Sequence, residues 1–216
     1  MLGWLVVLAL GAGPETPPGA GLDTPRCAEA AKHCYGLRVH RLGVTDATWD
    51  EAFLRAQLTH ARQLFAPIDT SFEIVLVDHL DDQPVIRSRA DRDALGHRRY
   101  TRGFIEVFVV DELDDVDEPI DITGETRQLR GVHWRDRASR DHRWVIVSRI
   151  APEHVLAHEL GHYFSLPHGT DPYSVMNKAP RADPPMAERG FVVAEQKKMR
   201  RAEARMRSSG YLVPRR

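Results

Sequence analysis

The sequence predicts a mixed α/β fold of the α+β kind: one twisted sheet of mixed strand direction, an antiparallel edge strand, and helices that pack on the sheet. Two observations predict it. Strand-like runs alternate with helix-like runs, without an internal repeat or a domain-sized linker. The composition is also ordinary for a globular protein, with 42% hydrophobic and 28% charged residues in a chain of 216. We therefore expect residues 22–216 to form a single domain.

The first half of this domain contains three predicted strands and one helix. Gly36–Val44 alternates apolar and polar residues, as a half-buried strand does. Ala47–Phe65 carries apolar residues at helical spacing and ends before Pro67. Phe72–Val77 and Gly103–Val110 are runs of β-branched and aromatic residues, which are typical of buried strands.

The second half contains two more strands and two helices. Arg127–Trp134 is polar enough to be an exposed edge strand, whereas the apolar run Trp144–Ser148 is typical of a buried strand. A helix is predicted over Ala151–Phe164, because Pro152 suits the first turn of a helix and apolar residues follow it at helical spacing. A C-terminal helix is predicted over Val193–Arg207.

The first 21 residues are expected to be a signal peptide and a short linker. The run "MLGWLVVLALGAG" is apolar but shorter than a membrane span of about 20 residues, and small residues follow it. No Lys or Arg precedes this run, so an uncleaved anchor or a misassigned start codon is the alternative. We expect export, to the periplasm, the cell envelope or the medium, with no stable membrane span after signal removal.

The charge balance argues against two classes of partner. Lys and Arg number 30 and Asp and Glu number 31, which gives a net charge of -1. No overall field would therefore attract the chain to nucleic acid or to anionic lipid. The sequence makes no prediction about oligomeric state.

One helix carries two histidines with the spacing of metal ligands. His158 and His162 are four residues apart, which places both imidazoles on one face about one turn apart. Glu159 lies beside the first histidine but points around the helix, so it can reach a water molecule without competing for the metal. This arrangement predicts a catalytic Zn²⁺ site, because histidines that only fill a core need no adjacent glutamate.

A third ligand is expected from the turn that follows the helix. Ser165, Pro167 and Gly169 mark a chain reversal, and His168 lies within it. Three neutral imidazoles leave one position of a zinc tetrahedron open for water. We therefore predict one catalytic zinc held by three histidines.

These residues resemble the metzincin metallopeptidases, with a motif that reads HExxHxxSxxH in this chain. In that family a third histidine follows the second by six residues, and a buried methionine turn lies downstream; "SVM", ending at Met176, looks like that turn. The spacing from His168 to Met176 is similar to that of the matrixin branch. The resemblance implies a zincin-like fold with Ala151–Phe164 as its active-site helix. It departs at Ser165, where metzincins usually have glycine, and a left-handed serine costs on the order of 1 kcal/mol.

The motif and the resemblance together predict an exported zinc-dependent endopeptidase. Glu159 is expected to act as the general base for water and to pass the proton to the leaving amine. A protein or peptide substrate would lie extended against the edge strand Arg127–Trp134. The alternative is a catalytically silent, zinc-stabilised binding module, which would have no use for Glu159. A thermolysin-type site with a distant glutamate ligand is disfavoured by His168 and Met176.

The two cysteines, Cys27 and Cys34, are expected to form a local disulfide, because an isolated even pair in an exported chain is usually bridged. The alternative is a thiol that caps the zinc, since Pro25–Cys27 is similar to the inhibitory cysteine motif of matrixin propeptides.

Two further metal sites are weaker predictions. The acidic run Asp111–Glu125 could bind Ca²⁺, as loops in this part of matrixins do, but it lacks the fixed ligand offsets of an EF-hand and also reads as a solvated loop. His133, Asp136 and His142 could form a second, structural zinc site. Exposed histidines in an arginine-rich loop are the alternative interpretation.

Overall fold

The computed structural model describes residues 26–27, 31–43, 47–97, 99–118, 124–139, 141–177 and 183–215, with the backbone alone for 47–50. Seven strands and four helices follow one another in these residues. They are β1 His33–Leu42, α1 Ala47–Phe65, β2 Thr70–Leu80, β3 Val85–Ile86, α2 Arg89–His97, β4 Ile105–Val110, β5 Glu112–Leu113, β6 Gly131–Arg135, β7 Arg143–Ser148, α3 Val155–Tyr163 and α4 Val193–Ser208.

Five of the strands form one sheet in the order β2-β1-β4-β7-β6. β2, β1, β4 and β7 run parallel to one another, whereas β6 runs antiparallel to β7 at the edge. The short strands β3 and β5 form a separate parallel pair. The mixed sheet with an antiparallel edge strand is confirmed.

The central strands β4 and β7 are buried on both faces, which explains their continuous apolar sequences. All six residues of β4 are buried. Alternate side chains enter two cores, with Val107 and Val109 on the face covered by α1, α3 and α4, and Phe108 and Val110 on the other face. Helix α2 covers the second core through Leu95.

The predicted elements are all present, with shifted ends. Helix α1 has the predicted bounds, and the C-terminal helix ends one residue later than predicted. The predicted first strand begins earlier and ends at Leu42, and Val44 lies outside the described residues. The edge strand begins at Gly131 rather than Arg127, because Leu129 donates its N–H to Leu113 of β5 (2.7 Å) instead of pairing with β7.

Helix α2 was not predicted, because its polar sequence "RADRDALGH" offers few apolar residues at helical spacing. Tertiary packing stabilises it. A Cβ atom at Gly96 would lie 2.2 Å from the ring of Trp144, so this helix approaches the sheet more closely than any side chain would allow. A close helix–sheet contact of this kind leaves no clear pattern in the sequence.

The amino-terminal predictions fall partly outside the described residues. The predicted signal peptide and linker, residues 1–21, are among the residues that the structure does not describe. In the described part of the chain, no helix combines the length and apolar character needed to cross a membrane. Cys27 and Cys34 are joined in a disulfide with their Cα atoms 5.9 Å apart, as predicted.

Candidate metal centre

Helix α3 places two histidines side by side. His158 and His162 lie one turn apart, and their Nε2 atoms are 3.2 Å from each other. The start of this helix is capped from α1, since the buried Gln57 accepts the Leu156 N–H (2.9 Å) and donates to the carbonyl of Pro152 (2.9 Å). The first turn of α3 is therefore held by α1, although its sequence contains no side-chain cap of its own.

A tight turn brings His168 to the same point. Ser165 has a φ of 73°, and its N–H donates to the carbonyl of His162 (2.9 Å) while Leu166 donates to Gly161 (3.0 Å). The chain then reverses, and the Nε2 atom of His168 lies 3.3 Å from that of His158 and 3.2 Å from that of His162. The turn is thus made with serine in the left-handed conformation that normally favours glycine.

The three nitrogen atoms fit a zinc ion. Ligands 2.0–2.1 Å from a tetrahedral zinc lie about 3.3–3.4 Å from one another. The Nδ1 atoms of His158 and His162 contact the carbonyls of Val175 (2.8 Å) and Leu166 (2.7 Å), which fixes the tautomer with a lone pair on Nε2. Burial lowers the pKa of His158 and of His162 to about 4, so both rings are neutral at pH 7.

The segment that contains Met176 packs against helix α3 and contacts the histidine cluster. Met176 is fully buried, and a Cβ atom at Gly161 would lie 2.6 Å from its sulfur, so Met176 packs directly on α3. The neighbouring Val175 supplies the carbonyl that orients His158. Gly169, just after His168, donates its N–H to the Met176 carbonyl (3.1 Å), which ties the turn to the methionine segment.

Glu159 projects from α3 towards the edge strand. Its side chain is buried, and its carboxylate faces the backbone N–H of His133 in β6. Burial raises the pKa of Glu159 to about 8, while the His133 N–H and the Arg92 guanidinium act in the opposite direction. The carboxyl group therefore lies against the backbone of the edge strand, near Gly131 and His133.

Strand β6 presents alternate backbone groups to that free edge. The carbonyl of Arg130 accepts from Ser148 and the N–H of Asp136 donates to His142, so the even-numbered residues bond on the β7 side. The N–H and C=O groups of Gly131 and His133 consequently point away from β7. The Glu159 carboxylate faces one of these outward groups, the His133 N–H.

The structure does not bring together the residues of the predicted second zinc site. The ring of His133 lies against Tyr163 (5.8 Å between centroids), and its Nε2 atom is buried without a hydrogen-bond partner. Asp136 contacts His97 at 3.2 Å and His142 only at 4.0 Å. In the described residues, His133, Asp136 and His142 do not form a group of three close ligand atoms.

The acidic run Asp111–Glu125 is partly described, since residues 119–123 lie outside the described ranges. Its described carboxylates do not form a close three-ligand group either. Asp115 accepts the N–H groups of Asp117 and Glu118, and Arg127 lies 3.6 Å from Asp115. These contacts engage Asp115 without an ion, and calcium stays a prediction.

A second three-ligand cluster, formed by Cys27, Cys34 and Glu73, has a structural explanation. Both sulfur atoms are used in the disulfide, and Glu73 forms an ion pair with Arg215. A disulfide sulfur has no thiolate to offer a metal. The alternative of a zinc-capping Cys27 thiol is likewise not supported by this bridge.

Sequence reasoning missed two residues of the site, Gly131 and the backbone of His133. A Cβ atom at Gly131 would lie 3.0 Å from Cγ of Glu159 and 2.6 Å from Val155, so only glycine lets α3 approach the strand this closely. A glycine inside a strand run is itself a signal of close backbone approach. The glycine in the "RGVHW" stretch could therefore have indicated that another element packs closely against this strand.

Comparisons with known proteins give matches at the level of structure alone. No family model matches the chain, and no curated protein matches it in sequence. Metalloproteinase-II from Bacteroides fragilis matches with a TM-score of 0.53 and 10% identity over 80% of this chain, which corresponds to 54% of its own length. Archaemetzincin from Methanopyrus kandleri matches with a TM-score of 0.50 and 15% identity, covering 79% of this chain and 96% of its own.

At these identities the likeness concerns the fold. This chain spans about half the length of the Bacteroides fragilis protein and nearly all of the archaemetzincin. The chain therefore shares the overall fold of these two proteins.

Proposed function

We propose that this chain is an exported zinc-dependent endopeptidase of metzincin type. One observation supports it above all others: three imidazole nitrogens converge within 3.2–3.3 Å, and the buried Glu159 directly follows the first of these histidines on α3. The zincin-like fold of its structural neighbours agrees with this proposal.

The proposed roles follow from the side chains present. His158, His162 and His168 hold the zinc, which when bound supplies Lewis acidity and lowers the pKa of water towards 7. Glu159 takes a proton from the attacking water and delivers it to the leaving amine. The charge of a bound zinc would oppose the burial that raises the pKa of Glu159, and would so favour the carboxylate form that a base needs.

Substrate binding is assigned to the edge strand. The outward N–H and C=O groups of β6, apart from the His133 N–H that faces Glu159, can pair with an extended peptide, which adds one strand to the sheet. The carboxylate of Glu159 contacts the His133 N–H, so a peptide on this edge would pass directly beside the proposed base. This geometry favours cleavage within a chain, because an added strand can continue past both ends of the site.

The metzincin assignment depends on two features of the turn region. Met176 is buried beneath α3, which agrees with a methionine turn, and His168 follows His162 by six residues. Ser165 replaces the usual glycine but adopts the left-handed conformation that the turn requires. The spacing favours the matrixin-like branch.

Export is proposed from the apolar amino terminus and the Cys27–Cys34 disulfide, because disulfides persist in oxidising compartments. Fractionation of cells that express the full chain tests it. Processed protein outside the cytoplasm is expected, and full-length protein confined to the cytoplasm would contradict export.

The deciding experiment for catalysis is Glu159→Gln. Glutamine keeps the size of the side chain but cannot take a proton, so zinc content should be unchanged while peptide cleavage falls by about 10²- to 10⁴-fold. The matched control is Glu153→Gln, which changes an exposed glutamate just before α3. This variant should cleave peptides at the wild-type rate. Wild-type turnover by Glu159→Gln would show that another group activates water.

The alternative function, a silent zinc-stabilised binding module, has its own outcome in this experiment. Wild-type protein that binds one zinc but cleaves nothing in a diverse peptide library would favour the binding module over the peptidase. Measuring zinc by elemental analysis beside the peptide digest separates this outcome from simple loss of metal.

A further inference from the structure

A polar cavity of about 650 Å³ lies beyond the carboxyl end of α3. Its walls come from the connection between α2 and β4, the loop between β6 and β7, and the end of α4. The charged side chains that line it are Arg102, Arg135, Asp141, Arg143 and Arg205. Its volume is in the range of sites that bind small molecules or several residues of a peptide.

The charge of this cavity differs from that of the whole chain. The sequence balances 30 basic residues against 31 acidic ones, yet four arginines and a single aspartate line the cavity. The neighbouring Asp136 is buried and lies 3.2 Å from His97, so it is already engaged. The excess of arginine is therefore local, and the cavity has the charge of an anion-binding site.

Arg143 illustrates why this charge is available to a ligand. Its guanidinium group lies over the rings of Tyr163 (5.6 Å) and Tyr211 (5.2 Å) and donates to the Tyr163 carbonyl (3.2 Å). Its Nε atom is buried without a partner. In the described part of the chain, no carboxylate forms an ion pair with Arg143 or with the exposed Arg205.

The cavity is also next to the proposed peptide track. Arg135 is the last residue of β6, two positions after His133, whose N–H meets Glu159. Two residues of an extended strand cover about 7 Å. Ser165, in the turn between His162 and His168, lines the same cavity. A peptide paired with β6 would therefore enter the cavity within a few residues of the reacting bond.

We propose that this cavity is a substrate subsite for acidic side chains. It selects peptides with Asp or Glu about two to four residues from the cleaved bond, on the side that lies against the Arg135 end of β6. Arginine suits this role because its planar donors match a carboxylate. This inference rests on the proposed peptidase function, since it assigns the specificity of the same site.

Binding tests this subsite separately from cleavage. The probes are two fluorescent peptides that differ only in three neighbouring glutamates, which are glutamines in the second peptide. Fluorescence anisotropy with the zinc-loaded Glu159→Gln protein should show about tenfold tighter binding of the glutamate peptide at low salt, and a smaller difference at 1 M salt.

Two arginines of α4 provide the variant and its control. Arg205→Ala should weaken binding of the glutamate peptide by roughly two- to fivefold and leave the glutamine peptide unchanged. Arg201→Ala removes the same charge one turn earlier on an exposed position that does not line the cavity, and should change neither. Equal losses in both variants would mean nonspecific attraction and would overturn the proposal.

The remaining outcomes are also decisive. Equal affinity of the protein for the two peptides overturns the subsite. If pyrophosphate binds in a way that depends on Arg205 while the glutamate peptide binds no better than the glutamine peptide, the cavity holds a free anion, and the subsite is again overturned. Wild-type protein that cleaves both peptides equally would keep the peptidase function and remove this inference. Arg205-dependent binding without any cleavage by zinc-loaded wild type would keep the subsite and remove the peptidase function.

Discussion

The side chain of Glu159 rests on the backbone of Gly131. A Cβ atom at position 131 would lie 3.0 Å from Cγ of Glu159 and 3.3 Å from its Oε1 atom. The missing side chain therefore allows the proposed general base to lie between α3 and the edge strand, where it meets the His133 N–H. The absence of a side chain at Gly131 thus allows the Glu159 carboxylate of α3 to lie against the edge strand.

Gly131→Ala should displace Glu159 and lower kcat while zinc remains bound. Displacement of a catalytic group by a fraction of an ångström to 1 Å costs roughly 10- to 100-fold in rate. Steady-state kinetics with zinc analysis checks this. Gly190→Ala is the control, because its added Cβ would meet only Leu64 at 3.8 Å. Unchanged kcat in Gly131→Ala would mean that Glu159 does not act at this position.

His168→Ala should weaken zinc binding by more than about 100-fold, because even supporting residues around a metal site contribute 10- to 100-fold. Competition with a zinc-sensitive dye measures the affinity. His79→Ala, an exposed histidine of β2, should bind zinc like the wild type. Unaltered stoichiometry and affinity in His168→Ala would remove His168 from the ligand set.

Substitutions at Ser165 test the left-handed turn. Ser165→Val should lose zinc affinity and stability, because a β-branched residue at φ 73° is strongly disfavoured. In Ser165→Gly, relief of about 1 kcal/mol is offset by the roughly 0.5–1 kcal/mol that glycine costs in the unfolded state, so stability should change little. Chemical denaturation and zinc titration check both variants. A valine variant as stable as wild type would show that the turn tolerates another conformation.

His133 should make the zinc-free protein sensitive to acid. Burial, with Arg143 and His162, lowers the pKa of His133 to about 3, so between pH 6.5 and 3 the unfolded state binds a proton that the folded state does not. Stability is therefore lost as pH falls through this window. His133→Phe should remove the contribution of this residue, gaining on the order of 1–2 kcal/mol over wild type at pH 5 and nothing at pH 8 beyond the packing change, while the contributions of His158 and His162 remain. Parallel pH dependences in denaturant melts would contradict this.

The Cys27–Cys34 bridge should stabilise the amino-terminal end of β1. The bridge closes a loop with a sequence separation of 7, for which chain-entropy estimates give about 2–3 kcal/mol. Intact mass before and after reduction, together with denaturation of a Cys27→Ser, Cys34→Ser double variant, checks both the bond and its contribution. Two free thiols in exported protein would exclude the bridge.

The sequence by itself determined the chemistry of the candidate site. The spacing of His158, His162 and His168 and the position of Glu159 are local features, because helical periodicity and one turn relate residues only a few positions apart. Helices α1, α3 and α4 and the buried strands of the main sheet were likewise predicted from periodicity, and the polar run of β6 indicated an edge. Local interactions dominate each of these features, and so they can be read from one sequence.

Contacts between distant residues decided the rest. Gln57 caps α3 across 99 positions of the chain, and Gly131 makes room for Glu159 from a separate strand. Helix α2 exists because Gly96 fits against Trp144, and the basic cavity forms where two connections meet the end of α4. None of these pairs has a fixed spacing in the sequence. Their geometry depends on how close two elements pack, and close packing is a property of the folded chain alone.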